Sequence, residues 1–286
     1  MPRPDRIVLA VFAATVLVGG SNFVAVRFSN RELAPLWGAT LRIAASGVLL
    51  LALALVARVR LPTGRPLAAA MLFGLWNFGI GYALTYLGLV DAPAALAAAI
   101  VATVPLLTLF MAAGMGLERI TTRRLIGACI AIVGVGVIFA DQLVAVSLSS
   151  VAAVVGLAIV IASSTVFAKR LPEAHPIGTN AIAMPIGALV LLALSRVSGE
   201  SAVLPARPDV SAAVVYLIFS TIALFVGFFF VVRRWTASAT AYSTVLTPVV
   251  TVALGTALAG ETVSLTFLAG AALVMAGTYV GALASS

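Results

Sequence analysis

The sequence predicts an all-α polytopic membrane protein, with ten transmembrane helices arranged as two inverted five-helix repeats. Three observations predict it. Hydrophobic residues make up 63% of the chain and charged residues only 9%, against about a quarter charged in ordinary soluble domains. Apolar runs of about 20 residues, enough to cross a hydrocarbon core near 30 Å thick, recur from end to end. The third observation is that the chain repeats itself. Residues 103–134, TVPLLTLFMAAGMGLERITTRRLIGACIAIVG, align without a gap on residues 246–277, LTPVVTVALGTALAGETVSLTFLAGAALVMAG, at an offset of 143 in a chain of 286.

In that register Pro105 falls on Pro248, Glu118 on Glu261, Gly127 on Gly270 and Gly134 on Gly277. Apolar Ala-rich text matches itself easily; four rarer residues in one ungapped register do not. The earlier segment GSNFVAVR, ending at Arg27, lies over SSTVFAKR, ending at Arg170, at the same offset. The expected division is therefore 1–143 and 144–286, one repeat each. Five spans is an odd number, so the second repeat enters the membrane from the opposite side.

The spans follow in order. Span one, 7–27, has a basic lead and an apolar run that a cleaved signal peptide would share, but the run continues to Val26 and has a partner in the second half, which favours a retained helix. Span two, 33–57, ends at RVRLPTGRP, whose Pro, Gly and charge mark a connection. Span three, 66–90, places Gly74, Asn77, Gly81, Thr85 and Gly88 along one side, with Phe78, Tyr82 and Tyr86 at intervals of four. Spans four and five, 93–115 and 122–140, hold the first copy of the repeated residues. Spans six, seven and eight are expected over 150–168, 177–197 and 209–232, with SGESAVLPARPD separating the last two. Spans nine and ten, 237–259 and 265–283, hold the second copy.

The net charge of +8 does not point to nucleic acid, because the basic residues are scattered one to three per connection. With a cytoplasmic N-terminus, twelve of them fall on cytoplasmic segments and four, Arg27, Arg31, Arg196 and Arg207, on the outside. That bias places both termini in the cytoplasm. Inverted repeats put a binding site near the midplane at their interface and permit alternating access, so the duplication is that of a transporter.

The two passages, each with a mid-helix Pro, a Glu at the helix end and LxG opening the next helix, resemble the EamA-type repeat of the drug/metabolite transporter superfamily over nearly the whole chain. The resemblance implies ten helices in two inverted repeats, a central substrate path and export of small metabolites across a bacterial-type cytoplasmic (inner) membrane. The chain is most similar to bacterial exporters of aromatic amino acids and related hydrophobic metabolites.

Positions that match across the repeats build the scaffold. Glu118 and Glu261 each precede a hydroxyl by three residues, Thr121 and Ser264, which suit the N-caps of the following helices. In an inverted pair the two carboxylates lie on opposite faces and cannot share one substrate. Pro105 and Pro248 remove a helical N-H and serve either as gating hinges or as static kinks. Gly127, Gly134, Gly270 and Gly277 let helices approach closely.

Polar positions that break the match are the candidates for substrate contact. Span nine carries Thr240, Tyr242, Ser243, Thr244, Thr247 and Thr251, and four of the five hydroxyl positions on its Thr/Ser face have apolar partners in the first repeat. Asn77, Phe78, Tyr82 and Tyr86 of span three form either a close-packing face with an aromatic flank against lipid or a cavity wall on which a planar group stacks. Intramembrane polar groups turn inward, which adds Asn22, Ser163, Ser164 and Asn180. Arg42 is the sole charge in a predicted helix interior. It either receives a substrate carboxylate, snorkels or bonds helix carbonyls.

All nine acidic residues fall in connections or at helix ends. A carrier of the proton-coupled multidrug antiporter kind, the alternative within the same superfamily, needs a midplane carboxylate; its absence favours facilitated export of neutral or zwitterionic solutes. Cys129 is read as a packed thiol and His175 as a solvated loop residue, and neither has neighbours for a metal. No phosphate-binding G-x-x-x-x-G-K-[ST] motif occurs, nor any catalytic constellation or charged selectivity ring. The expectation is thus a non-enzymatic carrier without cofactor or metal. Its partners are a small-molecule substrate and the lipid bilayer, and it is competent as a monomer.

Overall fold

The computed structural model describes residues 6–115, 121–142, 146–170, 175–234 and 237–280, and these contain helices and connections with no strand. Seven helical stretches are long and apolar enough to cross a bilayer: Arg6–Ser29, Pro35–Val56, Arg65–Gly88, Ala94–Met111, Leu148–Ala168, Pro176–Val197 and Pro208–Val232. Shorter apolar helices at Leu125–Ile138, Ser243–Ala259 and Leu265–Thr278 occupy the places of the three remaining expected spans. Spans two and seven start with Pro in their first turn, where the missing N-H is an orphan in any case.

The two halves interleave. Span one packs on spans eight and nine, and its counterpart, span six, packs on spans three and four. Span two lies along span seven, span five along span ten and span four against span nine. Exchanging the halves maps this set of contacts onto itself, as an inverted pair requires.

The duplicated glycines explain the pairing of spans five and ten. A methyl group at Gly134 would lie 2.7 Å from the Gly270 carbonyl oxygen, and one at Gly270 would lie 2.9 Å from the Gly134 carbonyl oxygen. Gly277 likewise faces the backbone of Gly127 and Ala131. Lipid offers no hydrophobic incentive for helices to associate, so close backbone contact through small residues supplies the attraction.

Two local departures from the regular helix shape the centre. Span three is π-helical over Gly74–Gly81, where Gly74 lies directly against the Ala183 backbone and Phe78 fills the space above Gly187; such widened turns recur at functional sites. Span four is not continuous through Pro105 as the sequence suggested. It ends at Val101 and resumes at Val104, putting Pro105 in a first turn. Leu106 N-H turns to the Thr103 carbonyl at 3.0 Å, and the Ala102 carbonyl thus released accepts the Thr278 hydroxyl of span ten at 3.1 Å. Pro248 instead lies inside an unbroken helix, Ala237–Ala259.

Two smaller expectations change. Cys129 is exposed rather than packed, because it lies on the outer side of span five, away from the glycine seam. His175 is exposed as expected but also caps span seven, its Nδ1 accepting from Ile177 N-H at 3.3 Å.

Candidate functional site

The interleaved helices leave a cavity of about 190 Å³ lined from both halves, over ten times the roughly 10–15 Å³ that holds a single water. One wall is aromatic. Phe78 and Phe225 sit 4.5 Å apart between ring centroids, Tyr82 is 6.3 Å from Phe225, and Phe225 leads on to Phe228 at 6.4 Å. Of these, Tyr82, Phe225 and Phe228 line the cavity, and Phe78 buttresses them from behind.

The polar part of the wall is donor-rich. Arg42 is 2% exposed. Its Nε donates to Thr221 Oγ1 of span eight at 2.7 Å, and its guanidinium carbon lies 4.9 Å from the Tyr82 ring centroid. On the neighbouring residue of span eight, Ser220 donates to Asn22 Oδ1 at 2.7 Å. That bond turns Asn22 Nδ2 to the other side, where it is buried without a partner, as is Ser164 Oγ. Both residues line the cavity, with Asn77, Ser243, Thr244 and Thr247. Among the described residues no carboxylate lines the cavity.

At one end of the bundle, carboxylates cross between the halves. Glu261, from the connection after span nine, accepts from Ala94 N-H at 2.8 Å and Ala95 N-H at 3.3 Å, and Arg27 Nε stands 3.7 Å away. Glu200 accepts from Leu36 and Trp37 N-H at 3.1 and 2.7 Å. Glu32 accepts from Ala206 and Arg207 N-H at 2.9 and 3.1 Å. For Glu261 and Glu200, the donors are free N-H groups of a helix start, where a carboxylate combines hydrogen bonding with a favourable dipole.

A two-half, all-helical bundle around an aromatic, donor-lined cavity is the shape of a carrier, and comparison with known proteins decides which kind. The model of the EamA-like transporter family matches the chain twice, over residues 6–140 and 148–282. The chain belongs to the EamA-like transporter family. It is 35% identical to YedA of Escherichia coli (strain K12), described as an uncharacterized inner membrane transporter, across 89% of this chain and 83% of that one. It is 28% identical to an uncharacterized transporter of Archaeoglobus fulgidus across 94% and 96% of the two chains. A solved crystal structure superposes with a TM-score of 0.70 at 20% identity over 98% of both chains, which shows the fold alone. This EamA-like protein is therefore a membrane transporter within the drug/metabolite transporter superfamily.

In this transporter the residues singled out from the sequence divide by place. Asn22, Arg42, Asn77, Tyr82, Ser164, Ser243, Thr244 and Thr247 meet at the cavity. Phe78 and Tyr86 are buried beside it, and Asn180 is buried outside it with its Nδ2 bonded to the Pro176 carbonyl at 3.0 Å. Ser163 points elsewhere and accepts from Trp76 Nε1 at 2.8 Å. Glu118 and the Tyr242 side chain lie outside the described residues. Ser264 caps span ten by accepting from Phe267 N-H at 2.9 Å.

Sequence reasoning missed the span-eight wall. Phe225 and Phe228 belong to the run FVGFFF at 225–230, an aromatic density that marked them as readily as span three was marked. Thr221, which holds Arg42, carried no such signal, since intrahelical hydroxyls are common. The missed carboxylate anchors, Glu32 and Glu200, have no counterparts at the repeat offset.

Proposed function

We propose that this transporter exports small hydrophobic zwitterionic metabolites, aromatic amino acids first among them, by alternating access and without ATP. The observation that carries the reading is the pairing, in one cavity, of an aromatic wall with a buried guanidinium. A zwitterion with a planar side chain uses both, stacking contributing about 1 kcal/mol per good contact.

Access alternates as the halves rock. The carboxylate-latched end is the outer one by the excess of Arg and Lys on the opposite connections, which puts both termini in the cytoplasm of a bacterial-type inner membrane. The repeats divide at 143/144, and the inverted pair is complete in one chain, so the working unit is the monomer. Among the described residues no carboxylate in the cavity wall stands ready to relay a proton, which favours facilitated flux along the substrate gradient.

The test is uptake of labelled phenylalanine, tryptophan, threonine and a planar drug cation into proteoliposomes, with and without an imposed proton gradient. Saturable aromatic amino acid flux indifferent to the gradient is expected. Gradient-driven cation flux with amino acids ignored would overturn the reading and identify a multidrug antiporter.

A further inference from the structure

We propose that Arg42 is a carboxylate-selecting residue: the substrate seats its carboxylate on the Arg42 guanidinium, and the cavity rejects the corresponding amine or amide. This rests on the central cavity being the substrate site, but not on the substrate having an amino group.

Arg42 sits inside span two with its Nε donating to Thr221 Oγ1 and the Tyr86 hydroxyl beside its guanidinium. Both partners are neutral hydroxyls, and a guanidinium carries more N-H donors than these two can take. Among the described residues no acid pairs with it, and the ion pairs of the described residues join Arg27, Arg31 and Arg207 to Glu261 and Asp209 at one end of the bundle. A cation 2% exposed and without a counterion is a costly state in a low-dielectric interior. A visiting anion relieves it.

The geometry makes the guanidinium a receptor instead of a loose charge. The Thr221 bond and the Tyr82 ring face hold its plane, leaving the planar fork free to meet two carboxylate oxygens in parallel. Asn22 is anchored to Ser220, the residue beside Thr221, so Asn22 and Arg42 are tethered to adjacent positions of span eight. Its Nδ2 is buried, lines the cavity and has no partner. An orphaned donor of that kind points to a ligand that brings acceptors. Thus two independent observations, an uncompensated cation and an unpartnered amide N-H, ask for the same chemical group, and the aromatic wall receives the rest of the molecule.

The experiment compares binding of 3-phenylpropionate, phenethylamine and phenylalanine to the full-length protein in lipid nanodiscs by calorimetry, for the wild type and the variants Arg42→Lys and Arg42→Met. The expected result is that 3-phenylpropionate and phenylalanine bind and phenethylamine does not. Arg42→Met is expected to lose about 10- to 100-fold in carboxylate affinity, the range for a charge-assisted hydrogen-bonded pair, and Arg42→Lys to recover part of it. The thermal stability of ligand-free Arg42→Met should match or exceed the wild type, since an unpaired buried charge is removed; a purely structural arginine would give the opposite. Binding of phenethylamine as tight as that of 3-phenylpropionate, no binding of either carboxylate, or unchanged carboxylate affinity in Arg42→Met would each overturn the proposal. The wild-type comparison needs no variant to fold. If 3-phenylpropionate binds through Arg42 but phenylalanine is not carried, the amino acid reading fails while the carboxylate subsite stands. If phenylalanine is carried equally by Arg42→Met, the reverse holds.

Discussion

Removing Glu261 is expected to unlatch one end of the transporter. Its side chain is 7% exposed, and its carboxylate takes the Ala94 N-H at 2.8 Å and the Ala95 N-H at 3.3 Å, the two first-turn donors of span four. A hydrogen bond to a charged acceptor contributes about 1.5–3 kcal/mol. The shorter bond is assigned about 2 kcal/mol and the longer about 1. Arg27, at 3.7 Å and 31% exposed, adds less than about 1 kcal/mol after solvent screening. Glu261→Ala therefore removes about 3–4 kcal/mol of cross-half attachment, and Glu261→Gln, which keeps a neutral acceptor, removes roughly half. If these bonds exist only while this end is closed, the closed-to-open ratio falls by about 100-fold or more, at 1.4 kcal/mol for each factor of ten. The assay is labelling of Thr85→Cys, a cavity-wall position, by an impermeant maleimide in a Cys129→Ser background. Alanine should raise the labelling rate at least about tenfold, with glutamine in between. Gly255→Ala should act in the same direction, since its methyl would lie 2.8 Å from Glu261 Oε2. Equal labelling in all four proteins, with unchanged thermal midpoints, would refute the latch.

Other outcomes follow from the same contacts. Gly134→Val, which drives a side chain into the Gly270 backbone at 2.7 Å, should destabilise by at least about 1–3 kcal/mol, read as a lowered thermal midpoint, whereas the open position Gly136→Val should not. Ser264→Ala removes the cap on Phe267 N-H at 2.9 Å and should cost about 1 kcal/mol in the same measurement. Phe225→Ala opens the aromatic wall; it should raise the KM for phenylalanine while leaving that for threonine nearly unchanged in proteoliposome uptake.

Much of the fold was legible because membrane physics writes it plainly: a span must be long and apolar, and a duplicated Pro, Glu and Gly register exposes the repeat. The glycine pairs were readable as close contacts, and the backbone-to-backbone approach of Gly134 and Gly270 is that reading made geometric. Pro105 and Pro248 were indistinguishable in the sequence. Their difference comes from a tertiary partner, the Thr278 hydroxyl, which settles the carbonyl freed at Ala102. In the cavity, the polar residues of span nine and the pair Asn22 and Arg42 stood out as rare groups in apolar text. Phe78 and Tyr86 carried the same periodic signal as Tyr82 yet ended behind the wall, because the π-helical turn of Gly74–Gly81 changes the angular step that periodicity assumes. Glu32 and Glu200 were invisible as latches, since a connection carboxylate finds its backbone donors only once distant helices dock.

Counterflow tests the central claim most directly. Proteoliposomes loaded with unlabelled phenylalanine are diluted into a trace of labelled phenylalanine, without any ion gradient. Alternating access by a facilitative carrier predicts a transient accumulation of label above its equilibrium level, saturating with internal phenylalanine. A monotonic approach to equilibrium, or entry of label that ignores the internal amino acid, would contradict it.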